Sequence, residues 1–321
     1  MPKALRVSLF VLGGLIGLLV LVAVAILALV DADAYKPRLE AAASKALGME
    51  VHVGGRLRIS LFPGLRVTAE DVRIRNRGAD IVSAKEARLG IDLLALLFKG
   101  IRVREIALNS ARISIEWDQD GKFNFERPEE VKATLPELDL PRISLSHATL
   151  LYANKQSGNG FEAGECDLNV RHLRGPGGRN VDFLKHLSFT AQLGCVELRA
   201  KRVTVFDLKL SVAGKDAVFD LEPVTVRMFG GLGSGNVQAD FSGAVPLYHV
   251  RYALPQFRVE EFLKTLSPDG AVEGSMDFSV NLTMQGKAAD EMLRTADGKG
   301  LPSRREPHAR WLRPRPGARS V

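Results

Sequence analysis

The sequence predicts a mainly β protein with few short helices, held by one N-terminal transmembrane helix. Three observations carry this. Val7 to Val30 is an uncharged apolar run of 24 residues, and at ~1.5 Å rise per residue it spans a hydrocarbon core of ~30 Å with tilt to spare. From Met49 onward apolar residues recur at every second position, the period of a half-buried strand. Turn signals such as Pro63-Gly64 and Asp118-Gln119-Asp120-Gly121 punctuate that alternation.

The apolar run is longer than the ~7–15-residue core of a secretory signal peptide, although Ala32-Asp33-Ala34 has the small-x-small shape of a cleavage site. Lys3 and Arg6 precede the run and Lys36, Arg38 and Lys45 follow it, so flanking charge alone leaves orientation nearly balanced. The expected arrangement is a short cytoplasmic segment (1–6), an anchor (7–30) and a body outside the cytoplasm. The formal charge of +7 sits mostly at the C-terminus. Residues 300–321 hold six arginines and one glutamate, which leaves 38 basic against 36 acidic side chains elsewhere. A nearly neutral body gives no reason to expect a nucleic-acid partner.

Residues 33–48 read as a helix. Asp33 is placed to cap it, Pro37 sits in its first turn, Leu39, Ala42, Ala43, Ala46 and Leu47 form a modest stripe, and Gly48 ends it. Strand alternation follows in Val51/Val53, Leu57/Ile59, Leu65/Val67 and Val72/Ile74, with Arg66, Arg73 and Arg75 on the opposite face. Leu93–Leu97, closed by Lys99-Gly100, suits a short helix against a sheet. Further alternating runs end with Val272–Met284, and residues 287–297 look helical. About 15 strands and three or four helices are expected, in a first β segment (49–127), a Pro- and Glu-rich linker (128–140) and a second β segment (141–299). The Gly-rich stretches 154–165 and 174–180 read as loops, and Phe229–Gly235 as a turn between strands.

A weak repeat runs through the first half. Pro63-x-Leu65-x-Val67-x4-Val72-x-Ile74-x-Asn76 aligns with Pro141-x-Ile143-x-Leu145-x4-Leu150-x-Tyr152-x-Asn154, and Ile106-x-Leu108-x4-Ile113-x-Ile115 has the same spacing between them. Each copy reads as strand, tight connection, strand, which gives an architecture of hairpin repeats. Past Gly300 the alternation stops and four prolines join the arginines. This stretch is expected to be a disordered, non-native tail; a natural basic tail is the alternative.

The chain offers little chemistry. Its six histidines are scattered, and HExxH, CxxC, GxSxG and P-loop patterns are absent. The Gly cluster at 229–235 lacks the Gly-Lys-Ser/Thr ending of a nucleotide loop. No catalytic residue, metal site or cofactor is expected. Cys166 and Cys195 lie on neighbouring predicted strands; outside the cytoplasm they are a candidate disulfide, the alternative being two small core residues. The apolar strand faces must pack on another sheet, as in a sandwich, be covered by helices, or bind something apolar. Composition does not separate these.

The order of several segments resembles the AsmA family over residues 1–299. These are the N-terminal anchor; the helix ending Ala46-Leu47-Gly48; Leu57–Val67 leading into Asp71–Asn76; the Leu93–Leu97 run; Ile113-Ser-Ile-Glu-Trp-Asp-Gln-Asp-Gly-Lys-Phe-Asn124; and Met228–Gly235 followed by strands. The resemblance implies an inner-membrane protein with its body in the bacterial periplasm and an extended, curved, groove-like antiparallel sheet. It further implies a part in outer-membrane assembly, with phospholipid or another membrane lipid, the inner membrane and envelope proteins as partners, and no catalytic residues. Such a groove would be lined by inward apolar positions such as Leu65, Val67, Val72, Ile74, Ile113 and Ile115. A scaffolding envelope protein with closed β-sandwich domains is the alternative.

Overall fold

The computed structural model describes residues 32–61, 64–92, 95, 102–126, 137–177, 183–201, 203–266, 274–287 and 289–303. The expected anchor at 7–30, most of the 93–97 run and the linker residues 128–136 lie outside the described residues. Among the described residues no helix is long and apolar enough to cross a membrane.

A 3-10 turn, Ala32–Tyr35, leads into helix α1, Lys36–Leu47, which Gly48 closes in the left-handed conformation at φ 70°. Asp33 does not cap this helix. Its Oδ1 pairs with Lys36 at 3.0 Å and accepts the Leu57 N–H at 2.9 Å, joining the turn to the sheet. Strands β1 (Glu50–Val53) and β2 (Leu57–Ser60) both pair with one edge of β3 (Leu65–Asn76). Ser44 Oγ and Glu40 Oε1 of α1 accept the Val51 and Val53 N–H groups at 2.9 and 2.6 Å. Helix side chains thus satisfy donors that an edge strand otherwise exposes.

The sheet continues through β4 (Ala79–Ile91), β5 (Val103–Trp117), β6 (Leu138–Asn154), β7 (Asn159–Gly175), β8 (Ser188–Ala200), β9 (Thr204–Lys215), β10 (Val218–Met228), β11 (Gly231–Asp240), β12 (Leu247–Arg258), β13 (Ser275–Gln285) and β14 (Asp297–Ser303). It is one long, curved, open sheet of 14 strands in which spatial order follows chain order. Two short helices, α2 (Val259–Leu266) and α3 (Ala289–Thr295), interrupt its second half. Every pairing is antiparallel except β5 with β6, which run parallel.

Several sequence expectations change. Each repeat copy is one continuous bent strand (β3, β5 or β6) and not a hairpin. The second and third copies lie side by side in register, Ile106 opposite Ile143 and Ile113 opposite Leu150. The 154–165 loop shrinks to a turn at 155–158, because Gly160 and Gly164 lie within β7. Only Phe229 and Gly230 form the turn before β11, and the remaining glycines of that cluster belong to the strand. Strand β6 begins at Leu138, inside the expected linker, and β14 runs through the division placed at residue 300. Among the described residues no second sheet packs on this one, so the sheets do not close into sandwiches: the elements in substantial contact are sheet neighbours, or short helices against them.

Candidate functional site

Alternation along each strand sorts side chains to two faces, and register across the sheet lines them into rows. One row reads Ala69, Ala87, Leu108, Leu145, Leu168, Leu193, Leu210, Val224, Gly235, Tyr252, Val280, Gly300. It crosses from β3 to β14 without a charged residue. The parallel row from Val67 through Leu89, Ile106, Ile143 and Val170 to Leu282 is equally apolar. The opposite face carries rows such as Thr68, Arg88, Ala107, Ser144, Asn169, Gln192. At ~4.8 Å between strands the apolar rows extend on the order of 50 Å.

The apolar face is concave. In seven consecutive strands two residues interrupt the alternation: Glu70-Asp71, Lys85-Glu86, Asn109-Ser110, Ser146-His147, Gly164-Glu165, Val196-Glu197 and Phe206-Asp207. Asp71, Ser110, His147, Glu165 and Asp207 there have φ of 48–51°, a conformation that bends the strand and restores the apolar phase beyond it. Asp71, His147, Glu165, Val196 and Asp207 are exposed outside the bend. Inside it, Ala111, Ala148, Ala163, Cys166 and Cys195 keep 0–4% of their surface. Nothing among the described elements is layered over them, so taller neighbours on the same face, Leu108, Ile113, Leu150, Leu168, Leu193 and Leu198, provide the burial. The result is a trough with a floor of alanine and cysteine and walls of leucine and isoleucine.

Cys166 and Cys195 are directly opposite on β7 and β8 and form a disulfide across this floor. At the β1 end, Leu39 of α1 packs with Val67 and Ala87 on a second cluster, Val53, Leu57, Ala69 and Val72, so the helix covers that end. Farther along, Tyr252 lies over Gly233 and Gly235, where any Cβ would meet its ring or hydroxyl. Its hydroxyl is buried without a hydrogen-bond partner, and burial holds its pKa above the ordinary 10.0.

Of the residues singled out from sequence, Ile74 and Ile113 flank Val82 in one row, Val67 pairs with Leu89, Val72 with Ala84, Leu65 with Ile91, and Ile115 with Tyr152. All six share the trough face. Arg66, Arg73 and Arg75 face outward beside Glu105, Asp71 and Asp80. The floor residues Ala84, Ala111 and Ala148 were not among the expected positions, since alanine adds little to an alternation signal. No group of His, Cys, Asp or Glu among the described residues is arranged to hold a metal.

The AsmA family model matches residues 1–194. The chain belongs to the AsmA family. The matched span covers the expected anchor, α1, strands β1 to β7 with Cys166, and the first half of β8, ending one residue before Cys195. Membership and a long open sheet agree with an envelope or lipid-related function. No curated protein sequence and no solved structure matches the chain.

Proposed function

We propose that this AsmA-family chain is a non-enzymatic, membrane-anchored periplasmic protein that guides phospholipid along the apolar trough and thereby supports outer-membrane assembly. The observation that carries the reading is the pair of unbroken apolar rows on a concave face that no second layer covers among the described residues. Leaving that much apolar surface in water is unfavourable by ~25 cal/mol per Å², so an apolar occupant stabilises it. Half of a ~30 Å hydrocarbon core is one acyl-chain length, and the trough is several times longer. The Cys166–Cys195 disulfide suits an oxidising compartment outside the cytoplasm. Val7–Val30 would fix the α1 end at the inner membrane.

The test is site-specific photo-crosslinking in cells. A photoreactive residue at Ile113, Leu150 or Leu193 is expected to capture phospholipid, and one at Arg73 or Arg112 on the outer face is not. Equal capture from both faces, or from neither, would count against the groove.

A further inference from the structure

The outer face carries a basic cluster that lies at the ends of β3, β4 and β5 and four residues in from the ends of β6 and β7. Register places Arg66, Gly90, Glu105, Arg142 and Arg171 in a single row across β3 to β7, with Arg104 beside Glu105. They line a concavity of about 500 Å³ together with Leu65 and Ile91. Four arginines meet one carboxylate there, and the nearest contact, Arg66 to Glu105, is 4.0 Å. Among the described residues Arg104, Arg142 and Arg171 pair with no carboxylate.

Other arginines of the outer face are closely paired: Arg75 with Asp80, Arg199 with Glu197 and Arg227 with Asp207, each within 2.9 Å. Arg142 and Arg171 stand directly opposite across an antiparallel pair, an arrangement that like charges destabilise. Gly90 leaves the row open at its centre: a Cβ there would approach the Glu105 Cβ at 3.2 Å. Clustered guanidinium forks around an open notch match the oxygens of a phosphate ester. The same concavity reaches Leu65 and Ile91 on the trough face, so a lipid with its chains in the trough could bring its headgroup to this cluster.

We propose that Arg66, Arg104, Arg142 and Arg171 form a phosphate-ester site that takes the headgroup of a trough-bound phospholipid. The assignment rests on the groove reading above. It is tested on the full chain in detergent with three probes: tail-labelled phosphatidylglycerol, diacylglycerol with the same labelled tails, and sn-glycerol 3-phosphate. Arg142→Gln/Arg171→Gln is expected to weaken phosphatidylglycerol binding about tenfold or more while diacylglycerol binding stays unchanged. The charge-matched Lys122→Gln/Lys155→Gln, beyond the other ends of β5 and β6, is expected to bind both lipids as wild type does, and thermal unfolding checks that each variant is folded. If the arginine variant keeps phosphatidylglycerol affinity, or loses both lipids equally, the headgroup site is overturned while diacylglycerol binding by wild type still supports the groove. Arginine-dependent binding of sn-glycerol 3-phosphate with neither lipid bound would mean a site for a free phosphate ester, overturning both the headgroup assignment and the groove. Wild type that binds none of the three overturns both as well.

Discussion

Tyr252 shows how a single side chain is set by its neighbours. Its ring occupies the space that Gly233 and Gly235 leave, and its hydroxyl pays for that placement by losing water without gaining a partner. An unsatisfied buried hydroxyl costs about 1–3 kcal/mol. Tyr252→Phe is therefore expected to leave stability unchanged or raise it by about 1 kcal/mol, read from urea unfolding of the full chain. The pH dependence has a definite sign. Burial raises the folded-state pKa above 10.0, so as pH climbs through 10.0 the unfolded chain ionises first and stability falls. The alkaline loss should be smaller in the phenylalanine variant; an identical alkaline limb in both proteins would show that the hydroxyl is not buried.

Strands are where glycine has opposite meanings within one chain. An added Cβ at Gly235 would meet the Arg251 carbonyl oxygen and the Tyr252 ring, whereas at Gly164 it would meet nothing within 4 Å. Gly235→Ala is expected to cost about 1–3 kcal/mol through overpacking. Gly164→Ala is expected to be neutral or to gain about 0.5 kcal/mol by restricting the unfolded chain. Equal denaturation midpoints for the two variants would refute this contrast. The two glycines also mark what sequence could tell. Alternation correctly assigned Val67, Ile74 and Ile113 to one face, because period two survives in each half-strand. The two-residue bends defeated it: a phase flip at Asn109-Ser110 looks like a turn, so one strand reads as two. Gly231, Gly233 and Gly235 resemble a loop until Tyr252, distant in sequence, is seen lying over them. The repeat spacing was legible, but that β5 and β6 meet in parallel was not, since spacing carries no direction.

Across the whole sheet, substantial contacts among the described residues join only sheet neighbours and the helices beside them. Stability in such an array is close to a sum of nearest-neighbour terms. The longest adjoining strands, β5 to β8, surround the disulfide, while β14 has only seven residues. Hydrogen exchange is expected to be slowest in β6–β8 and to quicken toward β14. Replacing Cys166 and Cys195 together by alanine should speed exchange in β7 and β8, with a loss of about 3–4 kcal/mol for releasing the 29-residue separation, and leave β12–β14 as before. A uniform change along all strands would instead indicate one global cooperative unit.

The same nearest-neighbour order makes trough length an adjustable dimension. Two more strands inserted into the row would lengthen the apolar path by about 10 Å without moving any contact on either side of them. A chain built this way can match different gaps by duplication alone, because the bend that shapes each strand is written within that strand, at pairs such as Asn109-Ser110 and Ser146-His147.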